Sequence, residues 1–153
     1  MLTIPISMKA ATEDDRRWAA GLLSCQEPWT TLGVEFETCL KNCSDPDLDL
    51  FIALRGEDRC GMLLIHPKGL AGSPYIKSIA TDPGFRGSGA GLDMMHFAEE
   101  RYGQLTGHLG LCVSSFNTRA RAFYEKLGYR KVGEIPDYIL PGASEWIMIK
   151  KTR

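Results

Sequence analysis

Hydrophobic positions alternate with polar ones at the start of the chain. From Leu2 to Met8 every second residue is apolar, which predicts a half-buried β-strand. Pro5 has no N–H to donate to a neighbouring strand, so we expect this strand at the edge of a sheet. Thr12 is a predicted helix N-cap, because the acidic run Glu13–Asp15 follows it and apolar residues at helical spacing come next. The segment 36–43 repeats the helical spacing.

Strand patterns dominate the middle of the chain. Two apolar runs, 49–55 and 60–66, are separated by a Gly-Glu-Asp turn signal, and a third run covers 75–81. The segment from Pro67 to Pro74 is rich in glycine and proline, so we expect it to be a link between strands.

Helices and strands alternate in the remainder. Helical spacing covers 92–105 and 120–127, and strand patterns cover 108–115, 129–132 and 145–150. The resulting order, β-αα-βββ-α-β-α-ββ, predicts helices that interrupt a mostly antiparallel sheet. The chain has 153 residues, 44% of them hydrophobic, which suits one globular domain. We therefore expect a single α/β (α+β) domain over residues 1–153.

Composition narrows the classes of function. Lys and Arg number 18 against 19 Asp and Glu, so no excess of positive charge favours a nucleic acid. The N-terminal segment does not have the pattern of a secretory signal, and no apolar run approaches the roughly 20 residues that span a bilayer. The five cysteines form no C-x-x-C pair, and the histidines have no metal-site spacing. We expect a cytoplasmic protein with reduced thiols and without metal, membrane or nucleic-acid partners.

A glycine-rich segment lies between the predicted strand at 75–81 and the predicted helix at 92–105. Glycines at 87, 89 and 91 have no Cβ, so another group can approach their backbone N–H groups. The start of a helix adds unpaired N–H donors and the positive end of its dipole. This arrangement favours a phosphate or pyrophosphate, with Arg86 as a charged donor at the rim.

The spacing in this segment differs from two common phosphate loops. A P-loop requires a lysine where Ala90 stands, and a Rossmann turn requires a third glycine where Leu92 stands. A third pattern, Arg-x-x-Gly-x-Gly, fits Arg86, Gly89 and Gly91. The glycines taken alone are equally consistent with a tight turn that has no ligand.

Two motifs together resemble the GNAT superfamily of acyl-CoA-dependent N-acyltransferases. The first is Arg86-x-x-Gly89-x-Gly91, which is similar to the family's pyrophosphate loop. The second is the block 117–129, with Asn117, Ala120, Phe123 and Tyr124 at the family's positions. They occur in the family's order and separation, and the strand pattern extends the resemblance over almost the whole chain. The closing segment 133–142 is distantly similar to the corresponding loop of ribosomal-protein and other N-terminal α-amine acetyltransferases.

The resemblance implies the GNAT fold and acetyl-CoA as cosubstrate. This fold is a mixed, mostly antiparallel seven-stranded sheet with about four helices, in which the fourth and fifth strands splay into a V. Pantetheine would lie in the V as a surrogate strand, and the pyrophosphate would meet the glycine-rich loop. The implied cofactor-binding residues are Ile79, Ala80, Thr81, Arg86, Gly87, Ser88, Gly89, Ala90, Gly91, Asn117 and Tyr124.

The resemblance also assigns a catalytic role to Tyr124. A tyrosine at this position lies near the thioester sulfur, where its O–H can protonate the departing thiolate. The alternative is a tyrosine that only packs on the cofactor or the core. Asn117 likewise has two readings that are compatible, a plain helix N-cap and a hydrogen-bond partner of pantetheine.

No residue is identified as the general base. Some family members carry a glutamate on the fifth strand, but this chain has Cys112 at that position. Deprotonation of the amine could run through ordered water, use Glu35 or Glu37, or need no dedicated base. Cys112 itself is interpreted as an inert strand cysteine, because cysteines on strands are usually unreactive core residues.

The acceptor remains open at this stage. The resemblance implies acetyl transfer to a primary amine by direct attack in a ternary complex, the amine belonging to a small molecule, a protein N-terminus or a lysine. Trp29, Glu35 and Tyr138 are the candidate acceptor-site residues, although Trp29 could equally be core and Glu35 an exposed charge. A non-catalytic acyl-CoA-binding or sensor module and, more remotely, another nucleotide-binding class are the alternatives. The oligomeric state is also open, a homodimer being one option.

Overall fold

Seven strands and five α-helices make up the computed structural model, which describes residues 4–153. Leu2 and Thr3 of the predicted first strand lie outside the described residues. The strands are β1 (Ile6–Ala10), β2 (Asp49–Arg55), β3 (Asp58–Leu70), β4 (Ser73–Thr81), β5 (His108–Ser114), β6 (Arg130–Pro136) and β7 (Ser144–Lys151). The helices are α1 (Glu13–Ser24), α2 (Trp29–Leu32), α3 (Phe36–Cys43), α4 (Ala90–Thr106) and α5 (Thr118–Lys126), and a 3₁₀ turn covers Pro83–Phe85.

The sheet has the predicted architecture. Its strand order is β1-β2-β3-β4-β5-β7-β6, and every neighbouring pair is antiparallel except β4 and β5. The mixed, mostly antiparallel seven-stranded sheet is therefore confirmed. Four helices match the predicted ones, and the short α2 adds a fifth, because four residues are too few to show a helical period in the sequence.

The expectation of a link from Pro67 to Pro74 is wrong. β3 continues to Leu70, and β4 begins at Ser73 after a turn in which Ala71 and Gly72 both have positive φ. The β3–β4 register shifts between His66 and Leu70, so Pro67 lies in an irregular stretch where no ladder N–H is required. Glycine and proline thus mark an irregular hairpin end here and not a break between strands.

Two cores cover the two faces of the sheet. One face, called the α4 face, packs α4 and Tyr124 of α5 against alternate strand residues such as Leu63, Leu111 and Met148. The other face, called the α1 face, packs α1 and α3 against the intervening residues, among them Ile52 and Met62. Each strand therefore presents side chains alternately to the two cores.

β4 contains a bulge at Lys77. Ile76 pairs with Ile65 and Ser78 pairs with Leu64, so Lys77 has no partner on β3. The extra residue reverses the alternation of faces. Ile76 and Ile79 lie on either side of the bulge and both contact the α4-face core. Without the bulge, a separation of three residues would place them on opposite faces.

β4 and β5 are paired only at their beginnings. The parallel ladder contains Tyr75 with Gly110 and Ile76 with Leu111. Beyond the bulge the two strands diverge, which confirms the V predicted between the fourth and fifth strands. The gap between residues 77–81 of β4 and 112–114 of β5 is called the slot below.

Asp15 anchors α1 to the sheet. Its carboxylate is buried, accepts hydrogen bonds from Lys9 Nζ at 2.6 Å and Arg59 Nε at 3.0 Å, and completes a capping box with Thr12. Burial alone would raise the pKa of Asp15, but the hydrogen bonds from Lys9 and Thr12 outweigh it and lower the pKa to about 2. The cap at Thr12 was predicted from the sequence, but this cluster of Lys9, Asp15 and Arg59 was not.

We expect this ion cluster to make stability depend on acid pH. Because the folded-state pKa of Asp15 is below the ordinary value of 3.8, its contribution is present above that value and is lost as the pH falls toward 2. The free energy of unfolding should decrease by about 2 kcal/mol over this range. Asp15→Asn should remove this dependence in urea titrations between pH 6 and pH 2.5. Asp14→Asn is the control, since Asp14 also pairs with Arg59 but is 82% exposed. The prediction would be contradicted if the pH dependence of the free energy of unfolding decreased equally in both variants.

Candidate active site

The edge of β4 that faces the slot carries free backbone groups. The Asp82 N–H donates to the Cys60 carbonyl of β3 at 2.8 Å. In an antiparallel ladder alternate residues point the same way, so the backbone of Ala80 also faces β3. The N–H and C=O groups of Ile79 and Thr81 therefore face the slot. Of the three predicted β4 residues, only these two offer main-chain groups there.

One of these groups is already engaged from the α1 face. Gln26 Nε2, from the segment between α1 and α2, donates to the Thr81 carbonyl at 3.0 Å. No local sequence pattern connects Gln26 to a strand 55 residues away, so its role here is visible only in the folded structure. This bond links the α1–α2 segment directly to the wall of the slot.

The glycine-rich loop presents a group of unpaired N–H donors. The N–H groups of Arg86 and Ser88 donate within the loop, to Pro83 and Phe85. Among residues 4–153 no acceptor is found for the N–H groups of Gly87, Gly89, Ala90 and Gly91. Gly87 and Gly89 have φ of 76° and 86°, a conformation that turns the chain so that these donors precede the first turn of α4.

The open space beside the loop is consistent with an anion site. A Cβ added at Gly87 or at Gly89 would meet no atom within 4 Å. The N-terminus of α4 adds its dipole to the unpaired donors. Arg86 belongs to the same loop and is exposed. Of the six predicted loop residues, four have unpaired main-chain N–H groups and Arg86 has an exposed side chain, whereas the Ser88 N–H is used within the loop.

Arg55 is a loop contact that the sequence analysis missed. Its Nη2 donates to the Ser88 carbonyl at 3.2 Å. Arg55 Nε and Ser88 Oγ are both buried and have no hydrogen-bond partner within the described part of the chain. Buried polar atoms without partners are uncommon and call for a ligand or water. Arg55 ends β2, 33 residues before the loop, so only the folded sheet brings it there.

The second motif packs against the first. Asn117 caps α5, since its Oδ1 accepts from the Ala120 N–H at 3.3 Å. A Cβ at Gly91 would lie 3.6 Å from Phe123 Cζ and 3.8 Å from Thr81 Oγ1. The start of α4, the end of β4 and α5 therefore meet at one point. The N-cap reading of Asn117 is confirmed, and its Nδ2 group stays available for a ligand.

Tyr124 lies in the core on the α4 face. It is 8% exposed, and its ring contacts those of Phe123 and Tyr129 edge-on, with centroids 5.4 and 6.1 Å away. Burial raises the pKa of Tyr124, so the phenol remains protonated at neutral pH and can act as a proton donor. The Tyr129 hydroxyl is buried and has no partner among the described residues.

A polar cluster lines the slot on the α1 face. It consists of Tyr75 on β4, Cys112 and Ser114 on β5, and Glu145 on β7. The Ser114 hydroxyl donates to Glu145 Oε2 at 2.6 Å. Burial raises the pKa of Cys112, and although a hydrogen bond with Tyr75 partly offsets this, the charge on Glu145 raises the pKa further. Cys112 is thus a protonated thiol at neutral pH, in agreement with its interpretation as inert.

The predicted acceptor-site residues are dispersed. Trp29 begins α2 and packs half-buried against the α1-face core, as its alternative reading proposed. Glu35 is the exposed N-cap residue of α3, and Glu37 is exposed on the same helix. Tyr138 lies in the β6–β7 loop and is 66% exposed. Burial is the main cause of the raised pKa of Tyr75, and Tyr138 contributes the least of its causes. Of these residues, only Tyr138 is connected to the cluster at the slot.

Residues 4–153 lack the features of several other kinds of site. No group of three His, Cys, Asp or Glu side chains in this range could hold a metal ion. No helix within the described part is both long and apolar enough to cross a membrane. All five cysteines are free thiols.

Comparisons with known proteins point in the same direction as the geometry. The model of the acetyltransferase (GNAT) family matches residues 11–129. Blasticidin-S acetyltransferase from Streptomyces morookaense is 32% identical over 77 residues, which cover 50% of this chain and 56% of that protein. The similarity therefore spans about half the length of this curated relative.

Solved structures match over nearly the full length. The ribosomal-protein-S18-alanine N-acetyltransferase from Escherichia coli has a TM-score of 0.77 at 17% identity, covering 97% of this chain and 94% of that one. An aminoglycoside 6'-N-acetyltransferase complexed with coenzyme A has a TM-score of 0.76 at 14% identity, with 96% and 97% covered. At these identities the likeness establishes the fold.

Proposed function

We propose that this chain, which belongs to the acetyltransferase (GNAT) family, transfers an acetyl group from acetyl-CoA to a primary amine by direct attack in a ternary complex. The observation that carries the proposal is the position of the unpaired N–H groups of Gly87, Gly89, Ala90 and Gly91, which follow the β4 edge that forms one wall of the slot after a single 3₁₀ turn. An extended amide-containing arm and a diphosphate require just these two features in this order. We propose that one domain, covering residues 1–153, performs the reaction.

The residues present fit coenzyme A. The Ile79 N–H and C=O and the Thr81 N–H would bind the pantetheine amides as an added strand does. The N–H groups of Gly87, Gly89, Ala90 and Gly91 would bind the pyrophosphate, with Arg86 adding charge. Arg55 holds the loop through the Ser88 carbonyl. Acetyl-CoA would supply the activated acyl carbon, and the chain would supply orientation and proton transfer.

The two faces of the sheet would have separate roles. Tyr124 lies on the α4 face, where its hydroxyl would donate a proton to the leaving sulfur. The polar cluster with Glu145 opens on the α1 face, so the amine would enter from that side. Tyr138 would form part of its entrance. We assign no role in binding the acceptor to Trp29 or Glu35.

The acceptor is proposed to be a small amine. The proposal of a small amine rests on the similarity to the relative named blasticidin-S acetyltransferase, which is 32% identical over half of this chain. We propose the cytoplasm as the compartment, since the five free cysteines suit a reducing environment. Neither a membrane nor a nucleic acid is proposed as a partner.

Two measurements test this function. Calorimetry with acetyl-CoA should show one binding site per chain, and acetyl-CoA that fails to bind would reject the proposal. Release of the coenzyme A thiol should then be followed with blasticidin S, an aminoglycoside, spermidine and a peptide with an N-terminal alanine. Turnover with at least one amine supports the proposal, and tight acetyl-CoA binding without any turnover would favour a non-catalytic acyl-CoA-binding module.

A further inference from the structure

Glu145 occupies an unusual position on β7. It is about nine-tenths buried, and it lies opposite Ser114 in the β5–β7 ladder. Its neighbours Trp146 and Met148 contact the α4-face core. Since Met148 is an odd number of residues from Glu145, alternation along the strand places Glu145 on the other face, the α1 face. Cys112 and Ser114 share that face.

The carboxylate of Glu145 borders the slot. Ser114 lies three positions beyond Leu111, where the β4–β5 ladder ends. The Ser114 hydroxyl that donates to Oε2 lies on the same face as Cys112, two residues earlier on β5. Burial raises the pKa of Tyr75 and of Cys112, and the negative charge on Glu145 raises both further. The Glu145 carboxylate therefore lies near Cys112, which occupies the position where some family members have a glutamate.

Nothing in the described structure neutralises this carboxylate. Oε2 accepts from the Ser114 hydroxyl, and no second donor to Glu145 is found among residues 4–153. No lysine or arginine of this range forms an ion pair with it. A buried carboxylate without a cation is unfavourable for folding. A cation that arrives with a substrate would supply the missing partner.

The surroundings of Glu145 define what it can bind. The titratable groups that face it are the Cys112 thiol from β5 and the Tyr75 phenol from β4, both held neutral by burial. Ile135, its partner on β6, contributes no charge. A protonated amine entering the slot from the α1 face would meet a single negative charge with one oxygen, Oε1, free to accept a hydrogen bond.

We propose that Glu145 is the general base of acetyl transfer, a role that rests on the proposed function. Its carboxylate takes one proton from the ammonium group of the acceptor. The neutral nitrogen then forms the new C–N bond at the thioester carbon, and the C–S bond breaks. The sulfur takes a proton from Tyr124, and Tyr124 regains one from the nitrogen that becomes the amide. The proton on Glu145 leaves to solvent, so one proton is released per acetyl group transferred.

The proposal predicts a particular pH dependence. Burial raises the pKa of Glu145 above the ordinary value, and the hydrogen bond from Ser114 offsets part of this effect. A base must be ionised, so kcat should fall at acid pH with a midpoint above the ordinary glutamate value of 4.5. Ser114→Ala removes a hydrogen bond that favours the charged form, so it should move this midpoint to higher pH.

The experiment is a pH profile of kcat for four proteins: wild type, Glu145→Gln, Ser114→Ala and Glu134→Gln. The acceptor is the fastest amine of the panel named above. Glu145→Gln should lower kcat about 100-fold or more at neutral pH and should recover rate as the pH approaches the pKa of the amine. Glu134→Gln is the matched control, because Glu134 lies on the adjacent strand but is exposed and paired with Lys131; its profile should equal that of wild type.

The outcomes separate this inference from the proposed function. If the wild type binds acetyl-CoA but transfers acetyl to no amine, the proposed function fails and the role of Glu145 fails with it. If the wild type is active and Glu145→Gln keeps both kcat and the acid limb, only the role of Glu145 is rejected. Calorimetry with acetyl-CoA should give an unchanged Kd in Glu145→Gln. Should that variant not fold, an acid limb unmoved in Ser114→Ala would overturn the inference.

Discussion

Replacing Tyr124 with phenylalanine should lower kcat about 100-fold while the affinity for acetyl-CoA stays the same. The substitution removes only the hydroxyl that would protonate the leaving sulfur, and general acids typically contribute at least this factor. Burial raises the pKa of Tyr124, so the hydroxyl is protonated throughout the accessible pH range. The loss should therefore be the same at every pH from 6 to 9. Thiol release with a reactive amine, together with calorimetry for the coenzyme, measures both quantities.

Tyr129→Phe is the matched control for this prediction. Tyr129 packs edge-on against Tyr124, and its hydroxyl is buried without a partner in the described structure. Loss of that hydroxyl should leave kcat unchanged and stability equal or slightly higher, since an unsatisfied polar group is removed. If Tyr124→Phe and Tyr129→Phe have the same kcat as wild type, Tyr124 is a packing residue and not the acid.

Gly89→Val should weaken acetyl-CoA binding about 100-fold or more. The branched side chain would occupy the open space beside the unpaired N–H groups of the loop, where the pyrophosphate is proposed to bind. Each charge-assisted hydrogen bond is worth about 1.5–3 kcal/mol, so displacing the diphosphate from two donors accounts for a change of this size. Titration calorimetry of acetyl-CoA into the variant measures it directly.

Backbone strain must be separated from loss of the ligand contacts. Gly89 has φ of 86°, and any side chain there costs about 1–2 kcal/mol of stability. Gly72, in the β3–β4 turn, has nearly the same φ of 84° and equally open surroundings. Gly72→Val should therefore lose similar stability in thermal unfolding but bind acetyl-CoA like the wild type. Equal affinity in both variants would place the pyrophosphate elsewhere.

The site was readable from the sequence wherever its features are local. The loop from Arg86 to Gly91 and the cap at Asn117 are short segments. Their residue types, glycine and a helix-capping asparagine, indicate the local backbone conformation directly. Both motifs also matched a family pattern, and that recognition is confirmed by the family match over residues 11–129. The roles assigned to individual residues, Tyr124 above all, remain predictions for the experiments above.

Contacts between residues far apart in the sequence could not be predicted from it. Arg55 reaches the loop from another strand, and Gln26 reaches the Thr81 carbonyl from the α1–α2 segment. The missing acid at Cys112 left the base open, with water, Glu35 and Glu37 as options. Glu35 and Glu37 are exposed on α3, whereas the carboxylate beside the slot belongs to Glu145. The sequence predicted the strand that contains Glu145 but not that this strand would pair with β5.

The sequence by itself determined most of the helices and strands and their order in a mostly antiparallel sheet, and it predicted an anion-binding loop, because helical period, strand alternation, caps and glycines act over a few residues. Only the tertiary structure decided which side chains share the slot. β7 inserts between β5 and β6, which places Glu145 opposite Ser114, and the bulge at Lys77 changes which face each following residue of β4 meets. A one-residue change of register reverses the faces of a strand. The composition of the site therefore depends on pairings that no local pattern encodes.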